Sequence, residues 1–96
     1  MIKRSVLAAA LLAYWNPDTC PVLVTAIMHP IKSSHTVCVF VSPNGALHYF
    51  DNDNLRSNDF YSYEDIVGKI CPSPNKLVCW DVRQPEDLAL VEFHEV

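Results

Sequence analysis

His35 and Asp51 are the two residues whose types and spacing could carry chemistry together. A carboxylate can hold one imidazole nitrogen while the other takes a proton from a nucleophile, which is how thiols and hydroxyls are activated. The competing reading is bland: strand-end histidines and post-strand aspartates also occur in ordinary loops. What separates the two readings is whether the chain between them brings the side chains to one place. That stretch reads as a strand, Thr36-Val37-Cys38-Val39-Phe40-Val41, a turn, Ser42-Pro43-Asn44-Gly45, and a second strand, Ala46-Leu47-His48-Tyr49-Phe50-Asp51. Pro43 fixes its φ near about −65°, which excludes the type I′ turn that Asn-Gly alone suggests and favours a type I turn with Gly45 as a left-handed bulge residue. The register that follows pairs Val41 with Leu47, Val39 with Tyr49, Val37 with Asp51 and His35 with Asp53. Paired residues share a face, so His35 and Asp51 fall on the same side of the sheet, one pair apart. A loop one residue shorter would turn them to opposite sides.

The elements around this hairpin follow from local signals. Ser5 caps a helix over Val6 to Trp15, rich in strong helix formers and apolar on every side, that ends at Asn16-Pro17. Such a helix is expected to be buried on most faces. Pro21 to Met28 is short and dense in β-branched residues, a strand closed by His29-Pro30, with Lys32-Ser33-Ser34 as a loop. Asp51 to Asp59 reads as a polar loop. Ser62-Tyr63-Glu64-Asp65 is a capping box that opens a helix from Tyr63 to Ile70. Cys71-Pro72-Ser73-Pro74-Asn75 breaks the chain, Lys76 to Val82 is a strand, and Gln84-Pro85-Glu86-Asp87 is a turn. From Leu88 to Val96 the alternation of Val91 and Phe93 with Glu92 and His94 favours a strand over the helix that Pro85-Glu86-Asp87 could start. Together these predict one α+β domain over 1–96: a buried N-terminal helix packed on a mainly antiparallel sheet, with a second short helix on the sheet or at its edge.

Apolar helix, strand, His35-Thr36-Val37-Cys38-Val39-Phe40-Val41, glycine turn, aromatic strand and Asp51-Asn52 in that order resemble the core of transglutaminase-like cysteine peptidases, within the wider papain-like group. The resemblance covers approximately residues 5–54 and rests on element order, on the step from His35 to Asp51 and on the Asp51-Asn52 dipeptide. It implies a nucleophilic cysteine at the N-terminus of the buried helix, a histidine opening a long strand, and an aspartate or asparagine on the next. The chain departs from this pattern at the first position, where Lys3-Arg4-Ser5-Val6 stands without a cysteine. A helix N-terminus lowers a thiol's pKa but helps a serine hydroxyl far less, so Ser5 reads as a cap. Cys20 is the nearest substitute. For it to serve, Pro21 to Met28 would have to be a helix, and four β-branched residues in eight positions oppose that.

Composition narrows the rest. Ninety-six residues, half of them hydrophobic, make one globular domain and exclude both intrinsic disorder and a multidomain enzyme. Seven basic against eleven acidic side chains, net −4 and without a basic run, lack the footprint that phosphate neutralisation needs, so no nucleic-acid partner is expected. Met1-Ile2-Lys3-Arg4 and the apolar stretch Ser5 to Trp15 resemble the first parts of a secretory signal, but no small-x-small site follows, and eleven residues are too few to span a bilayer, which takes about 20. The expectation is a cytoplasmic protein without membrane association. Cys20, Cys38, Cys71 and Cys79 lie in or beside apolar segments, where free thiols act as small hydrophobes; two disulfides, including Cys71 with Cys79, are the alternative. Cys20, His29, His35 and Cys38 lack the tight pairs of structural zinc sites, and Asp51-x-Asp53 lacks the glycine and glutamate of a calcium loop, so neither metal nor cofactor is expected. Phe60-Tyr61, between a polar loop and a helix cap, is the candidate exposed aromatic pair for binding a protein partner, with core packing as the alternative.

These readings give two functional expectations. The first is a small non-catalytic protein-interaction module with a degenerate transglutaminase-like or papain-like core, of a kind that would suit a bacterial or phage accessory protein. The second is a minimal cysteine hydrolase or acyltransferase in which Cys20 is the nucleophile, His35 the base and Asp51 its orienter.

Overall fold

A computed structural model of the chain describes residues 15–29, 33–51, 54–71 and 75–96. A 3-10 turn, Pro17–Thr19, leads into strand β1, Val22–His29; β2 is Ser33–Val41, β3 Leu47–Asp51 and β4 Asn54–Phe60. Helix α1, Tyr63–Ile70, follows, and then β5, Lys76–Arg83, and β6, Leu90–Glu95. The strands form one sheet in the order β4-β3-β2-β1-β5-β6, antiparallel at every pairing. The α+β class and the antiparallel sheet are therefore as expected. The N-terminal helix falls outside the described residues except for Trp15, which is exposed.

The order has a simple cause. Strands β1 to β4 meander outward from β1, so β4 ends at one margin of the sheet while the open side of β1 lies three strands away. Helix α1 carries the chain back across one face. It is started by Ser62, whose Oγ accepts a hydrogen bond from the Asp65 amide at 3.2 Å, with Glu64 and Asp65 placing negative charge in its first turn. Its apolar stripe presses Ile66 and Val67, both fully buried, onto Val24, Ala26, Val37, Val39, Tyr49, Trp80 and Val82. Burying each of the larger side chains in that cluster is worth roughly 1.5–3 kcal/mol against exposure. Alternation along the strands sends a second set, including Leu23, Thr36 and Cys38, to the opposite face, where they too are buried.

The hairpin between β2 and β3 has the expected turn and register. The Gly45 amide donates to Ser42 O at 2.9 Å, the Ser42 amide donates to Ala46 O at 2.8 Å, and Gly45 has φ +87°. Val41 pairs with Leu47 and Val39 with Tyr49. Two segments differ from expectation. Ser33 and Ser34 belong to β2, where they face Met28 and Ile27 of β1, and the polar segment after Asp51 forms a strand, β4, paired with β3. A polar sequence can be a strand here because β3 supplies the hydrogen bonds and the margin of the sheet leaves Leu55 and Arg56 exposed. The C-terminal segment is the strand that its alternation indicated. Among the described residues no helix is long and apolar enough to cross a membrane.

Candidate functional site

His35 stands on β2 opposite Ala26 of β1, and Ala26 stands opposite Trp80 of β5. The three therefore form a row across the face that α1 covers, alongside the row that holds Val24, Val37 and Val82. Asp51 is the last residue of β3, two positions after Tyr49, which is on the same face. The hairpin register thus sets histidine and aspartate side by side, and Nε2 of His35 lies 2.7 Å from Oδ1 of Asp51. The two side chains are 24% and 26% exposed, so the pair sits where the apolar face opens to solvent. Among the described residues Nδ1 of His35 makes no hydrogen bond. An imidazole held at Nε2 by a carboxylate and open at Nδ1 can accept a proton at Nδ1 and return it, with the carboxylate fixing the ring and stabilising its cation.

Nearby residues reinforce this setting. Tyr49 is buried on the same face, and desolvation raises its phenol above the usual range, with the Asp51 carboxylate pushing the same way and Arg56 opposing. Its ring packs against Phe60 with centroids 5.6 Å apart.

The structure does not bring Cys20 to this pair. Cys20 precedes β1 at the end where Val22 faces Val39, whereas His35 faces Ala26, four residues and about 13 Å further along the strand than Val22. The segment after Cys20 is a strand and not the helix that the triad would require, and Cys20 itself is exposed, ahead of the end of β1 away from His35. Its backbone has φ +46°. Cys38 lies on the opposite face from His35, fully buried, and burial pushes its thiol up to about 12. Cys71 directs its Sγ to Asn75 O at 3.7 Å. Cys79 carries a free thiol, so the Cys71–Cys79 disulfide is not formed. The described residues contain no cluster of His, Cys, Asp and Glu that could hold a metal ion.

The expected aromatic pair divides. Phe60 is half-buried and packed against the core, the alternative stated for the pair, while Tyr61 is 80% exposed. Alternation explains the difference: Phe60 is paired with Leu47 and follows it to the covered face, and Tyr61 lies beyond the end of β4. A second imidazole–carboxylate pair was not singled out from sequence. His94 of β6 stacks on Trp80 with ring centroids 4.3 Å apart, and its Nε2 lies 2.9 Å from Oε1 of Glu92. The signal was available in the i, i+2 spacing of Glu92 and His94, which puts both on one face once the segment is a strand.

Comparison of the chain with protein-family models, with curated proteins and with solved structures finds no match.

Proposed function

We propose that this chain is a small non-catalytic protein-binding module built on a transglutaminase-like or papain-like core that keeps the histidine and aspartate positions. The observation that carries the reading is the His35–Asp51 pair, assembled at 2.7 Å on neighbouring strands. Adjacent strands for the two residues are what such a core requires, and Cys20, the substitute nucleophile, is remote. Tyr61 supports the binding role: a large aromatic ring held in water beside a helix N-terminus is the type of side chain that anchors protein interfaces.

A second reading has its own observation, an Nδ1 of His35 with no hydrogen bond among the described residues, and makes the pair a general base for hydrolysis or acyl transfer. One assay separates the two. The purified chain is offered activated thioesters, p-nitrophenyl esters and glutamine-containing peptides with an amine acceptor, with and without reductant. Binding without catalysis predicts rates equal to those of the His35→Ala variant. A rate that falls by about 10²-fold or more in both His35→Ala and Asp51→Asn overturns the first reading and establishes the second. For the binding role, Tyr61→Ala is expected to weaken recovery of the co-purifying partner by about tenfold with an unchanged circular dichroism spectrum.

A further inference from the structure

Strand β6 closes the sheet on one side, and among the described residues no strand lies beyond it. All six of its residues are exposed, including Leu90 at 53%, Val91 at 48% and Phe93 at 52%. A six-residue strand with free backbone groups and half-exposed apolar side chains is a template for another strand. We propose that β6 pairs antiparallel with β6 of a second copy of this chain, about a two-fold axis at Phe93, joining two sheets into one.

The backbone direction comes first. The Val96 amide donates to Val78 O at 3.0 Å, so position 96 and, by alternation, His94 turn their backbone groups toward β5. Phe93 and Glu95 therefore turn theirs to the open edge. Centring the axis on Phe93 makes the two Phe93 residues a hydrogen-bonded pair, each amide donating to the other's carbonyl.

Register then selects the occupant. Antiparallel pairing about a two-fold axis perpendicular to the sheet sets residue i opposite the residue as far beyond the axis as i lies before it. An axis at Phe93 places Glu92 opposite the partner's His94, and does so twice, while Val91 faces the partner's Glu95. An axis at Glu92 or at Glu95 sets like carboxylates directly opposite each other, which disfavours pairing. Axes at Val91 or His94 set no imidazole of β6 opposite a carboxylate of its partner, Glu92 falling opposite Leu90 or Val96 instead. Thus at one position each carboxylate of Glu92 meets an imidazole, and at that position the backbone groups also match. The intrachain His94–Glu92 contact and the His94–Trp80 stack hold both side chains on one face, ready to meet their counterparts. On the other face the two Phe93 rings leave water together.

Size sets the strength. One strand from each copy buries less than the roughly 1,200 Å² of a standard stable interface, so the dimer forms and dissociates with concentration. This inference concerns the margin of the sheet opposite β4 and does not depend on whether His35 and Asp51 catalyse anything.

Sedimentation velocity across roughly 1–300 µM, where weak dimers of this size class dissociate, is the test. The expected result is a concentration-dependent shift from monomer to dimer, with Phe93→Lys raising the dissociation constant at least about tenfold while leaving the circular dichroism spectrum unchanged. Register is read by mild oxidation in a Cys20→Ser background. Phe93→Cys is expected to cross-link, because paired Cα atoms about 5.5 Å apart suit a disulfide. Val91→Cys is expected not to, its twin lying about 13 Å away. A monomer at every concentration overturns the proposal. So does a dimer indifferent to Phe93→Lys, or cross-linking stronger through position 91 than through position 93.

Discussion

The imidazoles of His35 and His94 are each held by a carboxylate, and the settings separate them. His94 and Glu92 are two apart on one exposed strand, with side chains 47% and 43% accessible, where an ion pair contributes little beyond about 1 kcal/mol. His35 and Asp51 come from different strands and are half as exposed, so their 2.7 Å contact exists only when β2 and β3 are in register. That dependence makes the pair a product of the fold. Cys38 shows the opposite use of a potentially reactive side chain. It is buried on the other face, where desolvation holds the thiol neutral and raises its pKa from the ordinary 9.0 to about 12. The folded state therefore keeps a proton that the unfolded state loses between these values. Stability attributable to Cys38 is intact below about pH 9 and declines as pH rises toward 12. Buried Tyr49 and half-buried Tyr63, both shifted upward chiefly by desolvation, act in the same sense at higher pH. Denaturant titrations under reductant at pH 7.5 and pH 10.5 check this. Cys38→Ala should cost about 1 kcal/mol at the lower pH through the space it leaves, and lose distinctly less than the unsubstituted chain between the two. Equal losses would assign the alkaline sensitivity to the tyrosines alone.

At the scale of elements, the β2–β3 hairpin was legible because its turn is chemically overdetermined. Pro43 restricts φ, Gly45 admits the left-handed residue, and Ser42 closes the loop by donating its hydroxyl to Ala46 O at 3.1 Å. Once the loop length is fixed, the alternation does the rest, and His35 must share a face with Asp51. Helix α1 was legible for a similar reason, a side chain at Ser62 shaped to stop one conformation and start another. Strand β4 was not. Asn54 to Phe60 has no β-branched residue and no apolar alternation, and what makes it a strand is the row of backbone groups that β3 presents. Such a signal lives in the partner and not in the segment. The position of Cys20 was lost for a related reason. Spacing along the chain suggested proximity to His35, but antiparallel pairing of β1 with β2 sends residues before the strand to the end opposite the start of the next. The hairpin's dependence on its turn can be measured. Gly45 has φ +87° with nothing within 4 Å of where a Cβ would sit, so Gly45→Ala meets no steric clash and its cost is that of the backbone conformation alone. That cost is roughly 1–2 kcal/mol. Thermal or denaturant unfolding should show it, and Gly68→Ala, at a helical position with equally open space, should instead be neutral or stabilising.

For the whole molecule, the strand order decides what is rigid and what is available. Strand β1 lies inside the sheet, paired with β2 on one side and β5 on the other, and α1 packs across it, so its residues Val24 and Ala26 are wholly enclosed. Burial falls away from there, until in β6 every residue is exposed. One margin, β4, is polar; the other, β6, is apolar and charged by turns, with every residue exposed. The His35–Asp51 pair sits on the inner strand β2 and its neighbour, which gives it the fixed geometry that either binding or proton transfer requires, while the surfaces open to partners lie at the margins. Native-state hydrogen exchange resolves this gradient. The amides of Val24 and Ala26 are expected to exchange only through global unfolding, with protection equal to the full stability and the same denaturant dependence. In β6 the amides of Phe93 and Glu95, which point away from β5, are expected to exchange near the rate of an unstructured chain in dilute protein, whereas His94, bonded to β5, is slower. Raising the protein concentration through the dimerisation range should then slow the Phe93 amide selectively, because pairing with a second copy engages it. Uniform protection along β6 in dilute solution, or a Phe93 amide insensitive to concentration, would contradict this account of the open edge.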